Sequence, residues 1–372
     1  MLLGFAIMTA FVPGIVGIAS NTSWAVMWLA MPLMLIDRKI EVNRFHVLGF
    51  MFLSYAGISL MWSPHGILAF MQLLALASVF VWGCTLKDLR SVTIGLSLGL
   101  GIAFIVAVLQ YFQINLVMGD GRITGLYFNP NVYAEITGMI LILILTHKLW
   151  WFIPVTIPGM LISSRAVVLG LGFALAMYFW SRSKLSSVAV IVGSLALVAK
   201  LPVINSYLSN IATFSTEANI NTATDIAVVV SVNSVYQRFN IWEDMLSGLT
   251  LFGNGIGSFI YVFPEYNKHI DQAKLLVEYA HNDLYQLIFE LGIGVVPLVL
   301  MVFILLKADN DYKPTFVFFI IIGIFSFPLF MPVTAFMAAL VASQLSKSVL
   351  GSRSSFDSSG SVLFNRMEIS RY

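Results

Sequence analysis

The sequence predicts an all-α fold, a polytopic transmembrane helical bundle of about 12 spans with one large loop that carries short amphipathic helices. Two observations predict it. Of 372 residues, 59% are hydrophobic and only 10% charged, where a soluble protein has about 25% charged residues; the mean hydropathy is +0.91. The apolar residues also come in long runs, not in the alternating ten-residue segments of an outer-membrane barrel.

A span needs about 20 apolar residues, slightly fewer when short or re-entrant. Runs of this kind lie at 2–20, 23–36, 45–62, 66–84, 91–112, 132–147, 149–162, 165–180, 185–201, 282–306, 315–329 and 331–347. The organisation is therefore spans 1–9 in residues 1–202, a loop at 203–280, spans 10–12 in 281–347 and a Ser-rich tail at 348–372, expected to be disordered. No Lys or Arg precedes Arg38, so residues 2–20 read as a span and not as a secretory leader.

Charge placement orients the chain. With the N-terminus in the cytoplasm, 14 of the 20 basic residues fall on the cytoplasmic side, as the positive-inside rule requires. Both termini are then cytoplasmic. The six on the outer side are Arg122, Arg165, Lys200, Arg238, Lys268 and Lys274. Three of these are arginines in apolar or Gly/Asn/Ser surroundings, and arginine suits bidentate binding of phosphate oxygens.

The 203–280 loop is long enough to suggest function. Within it, Val235 to Leu249 has helical periodicity, with Phe239, Trp242, Met245, Leu246 and Leu249 on one face and Asn240, Glu243, Asp244 and Ser247 on the other. Arg238 falls inside the apolar arc, where a cation either snorkels or meets an anion. Gly253-Asn254-Gly255-Ile256-Gly257 follows. Without a surrounding βαβ unit it is no dinucleotide fingerprint; it reads as a turn that lets backbone approach the bundle or a ligand.

The loop ends at Glu278-Tyr279-Ala280-His281-Asn282-Asp283, a polar cluster at the start of an apolar span. His281 there is suited to general-base work, while Asn282 and Asp283 would also serve to cap the helix. Asp283, Gln286 and Glu290 form one stripe, roughly opposite His281 on an ideal helix and expected to hydrogen-bond inside the bundle. A second polar run, Gly119 to Gly125 with Arg122, leads through Asn129-Pro130-Asn131 into the span containing Glu135. Ser163-Ser164-Arg165 is a third outer site. No metal or cofactor is expected: Cys84 is the single cysteine, the histidines lack ligand spacing, and Asp309-Asn310-Asp311 lies in a short cytoplasmic loop with no nucleotide-binding domain.

These residues resemble the O-antigen ligase and O-antigen polymerase superfamily of polytopic membrane glycosyltransferases. The family shows a basic residue with a nearby Trp and a Gly-rich turn, here Arg238, Trp242 and Gly253 to Gly257. It then shows His, a small polar residue, nine residues and Gly, here His281, Asn282 and Gly292. Arg122-Ile123-Thr124-Gly125 with Asn129 and Asn131, and Ser164-Arg165, also look like family signatures. Three residues past Gly292 the family has Gly, Thr or Tyr, and this chain has Val295. The resemblance implies a metal-independent, inverting transfer of a glycan from undecaprenyl diphosphate to a hydroxyl of lipid A core or growing polysaccharide, on the periplasmic face of the bacterial inner membrane. It assigns His281 to the acceptor hydroxyl and Arg122, Arg165 and Arg238 to the diphosphate. Asn282, Asn129, Asn131 and Trp242 are supporting residues. Membrane lipids are the other expected partners, and nucleic acid is not one. From other classes, a lipid-glycan or small-solute transporter would place polar groups at the midplane of repeated halves, and an inactive scaffold would need none of them.

Overall fold

The computed structural model describes residues 44–85, 88–112, 123–127, 129–161, 165–180, 182–213, 237–269 and 277–354. Among them there is no strand. The helices are α1 (Arg44–Ile58), α2 (Gly66–Thr85), α3 (Leu89–Tyr111), α4 (Pro130–Thr146), α5 (Ile157–Leu161), α6 (Arg165–Trp180) and α7 (Lys184–Thr213). Next come α8 (237–247), α9 (Phe259–Tyr266), α10 (Asp283–Leu291), α11 (Val296–Leu306), α12 (Lys313–Phe325) and α13 (Pro332–Ser354).

Among the described residues, four stretches are long and apolar enough to cross a membrane: Arg44–Met61, Gly66–Thr85, Leu89–Tyr111 and Asp283–Leu306. Shorter apolar helices cover Pro130–Thr146, Trp150–Leu161, Arg165–Trp180, Lys184–Val198 and Lys313–Phe325. The expected spans 2–20 and 23–36 lie outside the described residues, as do most of 203–236 and the tail from 355. α7 runs on to Thr213 and α13 to Ser354, each past the end expected for its apolar run.

α4 is the central element. Pro130 starts it at a position that needs no N–H donor, and Asn129 caps it by accepting from the Asn131 N–H at 2.8 Å. All but a few of its residues are buried. α12 approaches closely because Gly138 and Gly170 present no side chain where the Phe318 ring lies. α13 is buried nearly all round, through Val333, Phe336, Met337, Leu340, Val341 and Leu345. Its Ala/Ser-rich sequence suits close packing: the Ala339 carbonyl rests on Gly83 of α2, and Phe336 meets Trp82 edge-on. Outer helices turn large apolar side chains outward, among them Phe50, Ile67, Ile105, Leu185 and Phe303, as surfaces facing lipid would.

The glycine run after α8 docks backbone onto the bundle. Asn254 N–H donates to the Phe289 carbonyl and Gly255 N–H to that of Glu290, at 3.1 and 2.8 Å, and Ile293 N–H donates to Leu251 O at 2.8 Å. Tyr55 Oη and Trp62 Nε1 donate from the other side to the Phe252 and Gly253 carbonyls. Gly253, Gly255, Gly257 and Gly292 all have positive φ, which side-chain-bearing residues rarely adopt. A Cβ on Gly253 would lie 2.3 Å from the Glu290 oxygen. Of the two readings of this turn, approach to the bundle is the one seen. The contact also ends α10: Gly292 leaves the helix at φ 53 and a 3-10 turn, Gly292–Val295, joins it to α11.

Gly253→Ala is expected to lower the thermal midpoint of the detergent-solubilised protein by several degrees, since strain and backbone overlap act together. Gly193→Ala, on α7 with nothing within 4 Å, is expected to be neutral or stabilising. Equal midpoints for the two variants would contradict this account of the turn.

Candidate functional site

The segment 277–283 is held by its backbone. Trp242 Nε1 donates to the Ala280 carbonyl at 2.8 Å, and the Ala280 N–H donates to Gln286 Oε1 at 3.0 Å. Tyr285 Oη returns a hydrogen bond to the Trp242 carbonyl at 3.1 Å. With Ala280 fixed on both sides, the chain reverses at His281, whose φ is 53°. A non-glycine residue in this region costs about 1–3 kcal/mol and persists only where its surroundings impose it. Asn282 is extended and caps α10, its Oδ1 accepting from Tyr285 N–H at 2.9 Å.

The left-handed turn takes His281 off the helix. Its ring packs on Phe327 with centroids 5.2 Å apart, and Tyr279 stacks on the same ring at 4.4 Å. His281 Nδ1 is buried with no hydrogen-bond partner among the described residues. Burial, and then the charge of Arg238, pull its imidazole from the ordinary 6.5 down to about 4. Arg238 is itself lowered by burial, with the charge of Glu135 opposing. No direct ion pair joins Arg238 to Glu135 among the described residues.

Three buried carboxyl groups differ in how they are satisfied. Glu290 is fully engaged: Oε2 accepts from Gln72 Nε2 at 2.9 Å and from Gly257 N–H at 3.0 Å, and Oε1 from Gln286 Nε2 at 3.3 Å. It is a structural tie. Asp283 is half engaged: Oδ2 accepts from Leu329 N–H at 3.0 Å, and Oδ1 is unpartnered. Glu135 has neither oxygen hydrogen-bonded, though it is 1% exposed. The Ser326 hydroxyl is near enough to bear on it without a well-formed hydrogen bond.

These groups share one region. Asp283 and His281 both face the 326–329 link between α12 and the next turn, and electrostatic reach connects Asp283 to Glu135, Glu135 to Arg238 and Arg238 to His281. Asp283, Gln286 and Glu290 all hydrogen-bond inside the bundle, as the stripe predicts; Asp283 does so to Leu329, two residues past the Phe327 ring on which His281 packs.

Other predicted residues fall as follows. Arg122 lies outside the described residues. Arg165 opens α6, partly buried, and no hydrogen bond or ion pair among the described residues joins it to His281, Arg238 or the carboxyls. Asn129 and Asn282 are helix caps, Asn131 supplies the N–H that Asn129 caps, and Trp242 positions the segment before His281. Glu135 is the residue that sequence reasoning left without a role. Its signal was a carboxyl inside an apolar span, which is costly and kept for a reason. Among the described residues no three His, Cys, Asp or Glu side chains converge as metal ligands would. Compared with known proteins, the chain matches no family model and no curated sequence.

The depressed His281 group gives a pH test. A folded-state pKa below the unfolded one means the folded chain resists protonation. The stability it contributes is full above pH 6.5 and is lost as pH falls toward 4, by about 3 kcal/mol at the limit. His281→Asn should remove that part of the acid dependence in a denaturation series from pH 7 to 4. Parallel curves for wild type and variant would contradict it.

Proposed function

We propose that the protein is a bacterial inner-membrane glycosyltransferase of the O-antigen ligase type, moving a glycan from undecaprenyl diphosphate to a hydroxyl of lipid A core or growing polysaccharide. The observation that carries the reading is His281: a backbone held in a costly conformation, with a neutral, unpartnered ring nitrogen buried beside Arg238. On this reading the chain has about 12 spans, both termini are cytoplasmic and the 203–280 loop is periplasmic, as the charge distribution supports.

The chemistry follows from the two side chains. His281 takes the proton of the acceptor hydroxyl as that oxygen bonds to the anomeric carbon. The anomeric carbon–phosphate oxygen bond breaks, and its electron pair leaves on the diphosphate, held by Arg238. Arg122 and Arg165 would join it through the outer loops. A bound diphosphate also offsets the Arg238 charge, one of the two causes that weaken His281 as a base. The imidazole is then most basic when donor is present, and unproductive proton uptake by the free enzyme is suppressed.

Polymerisation of repeat units uses the same donor and step, and differs only in the acceptor. A transporter reading finds less support: the polar groups cluster where loop and span meet, and no internal repeat is evident in the sequence.

His281→Ala and Arg238→Ala should each cut glycan transfer in membranes by about 10²–10⁴-fold, read on a lipopolysaccharide gel of a complemented deletion strain. Loss of all long chains indicates ligase action; a single capped unit indicates a polymerase. Full-length chains with both variants would sink the proposal.

A further inference from the structure

The loop helix and the turn after it carry an apolar surface of their own. Phe239 and Leu246 stand two turns apart on one line of α8, and Leu249, Leu251 and Phe252 follow; all five are exposed, Leu251 and Phe252 by 66% and 62%. Single exposed apolar residues mean little, but a run of them in one short segment marks an interaction surface. α8 has three distinct strips. Ile241 and Met245 are buried against protein, Phe239 and Leu246 are bare, and Glu243 and Ser247 beside them are exposed and polar. That is the make-up of a helix lying where protein, lipid and water meet.

The neighbours of the patch identify what covers it. The Leu251 carbonyl accepts from Ile293 N–H at 2.8 Å, and the Phe252 and Gly253 carbonyls accept from Tyr55 Oη at 3.0 Å and Trp62 Nε1 at 3.2 Å. Ile293 heads an exposed stripe, Ile293, Val296, Leu300 and Phe303, along the Asp283–Leu306 stretch. On α1, which packs beside α11, Val47, Phe50, Met51, Ile58 and Met61 are exposed and fall within an arc of about 100° at helical spacing. Both stripes lie on stretches apolar enough to cross a membrane, and both end against Leu251 and Phe252. Trp62, part-exposed with its N–H turned inward, stands at the same level, and tryptophan is enriched where the bilayer core meets the headgroups. A protein partner would have to follow this surface from the loop onto the sides of two spans. The bilayer covers all of it at once.

We propose that the 239–252 segment is seated in the membrane, with Phe239, Leu246, Leu249, Leu251 and Phe252 entering the boundary between headgroups and acyl chains and continuing the lipid contact of α1 and α11. This requires only that the bundle spans a membrane, and it holds whether or not the protein transfers a glycan. Arg238 immediately precedes Phe239, and Trp242 ties α8 to Ala280. The seating therefore sets the height of both Arg238 and His281 relative to the lipid.

The test uses the full chain in phosphatidylcholine liposomes, with the single cysteine, Cys84, replaced by serine. Leu246→Cys, Leu251→Cys and Phe252→Cys, one at a time, each carry a nitroxide label. Each label should collide more often with oxygen, which concentrates in lipid, than with a water-soluble nickel chelate. Leu300→Cys, on the span stripe, should behave alike, and Glu265→Cys, exposed on α9, should show the reverse. A preference for the nickel chelate at positions 251 and 252 puts the patch in water and overturns the proposal. Little access to either reagent also overturns it, because protein then covers the patch, whether a second copy or the apolar runs at 2–36. The wild-type chain gives a check that needs no substitution. Photolabelled in the same liposomes with a lipid-soluble diazirine, it should carry label in the 239–252 peptide. Labelling there no stronger than in 259–266 overturns the seating.

Discussion

A carboxyl group inside an apolar bundle must find donors, and the architecture around the site follows from how three such groups meet that requirement. Glu290 meets it by drawing Gln72 from α2, Gln286 from its own helix and the Gly257 N–H from the loop to one point. Those three bonds tie loop, early bundle and late bundle together. Asp283 meets it by half, and Glu135 has only the Ser326 hydroxyl close by, without a well-formed hydrogen bond.

The loop helix contributes through the same economy of contacts. α8 buries Ile241 and Met245 against Phe259, Phe263, Ala280 and Phe289, and Trp242 reaches across to fix Ala280. Asp244, on the nominally polar face, is also buried, and accepts from the Lys268 and His269 N–H groups while pairing with His269 Nδ1 at 2.8 Å. The helix is thus clamped on two sides before it presents Arg238. Phe239 and Leu246 remain exposed, available to a lipid surface.

Much of this was legible in the sequence because apolar runs end where polar or proline residues force them to. The boundaries expected at 66–84, 165–180 and 282–306 lie within about one residue of the helices Gly66–Thr85, Arg165–Trp180 and Asp283–Leu306. The break at Gly292–Val295 was not legible, since Gly-Ile-Gly-Val reads as continuous apolar chain and the interruption comes from Leu251, some forty residues earlier. The face of α8 was legible only in part: periodicity gave an apolar arc, but with two apolar environments to choose from, Met245 turned to protein and Leu246 outward. His281 and Arg238 stood out by residue type. Glu135 stood out as a charge in a span, but its lack of a well-formed hydrogen bond is a property of the helices around it.

The docking of the 251–257 turn also fixes an order of events. Its hydrogen-bond partners, the carbonyls of Phe289 and Glu290 and the N–H of Ile293, are made after it during synthesis, and the Glu290 side chain then closes on Gln72 from far earlier in the chain. The loop cannot reach its final conformation until α10 has emerged and entered the bundle. The site matures later still, because the His281 ring packs on Phe327 and Asp283 accepts from the Leu329 N–H, and both partners are made after α10.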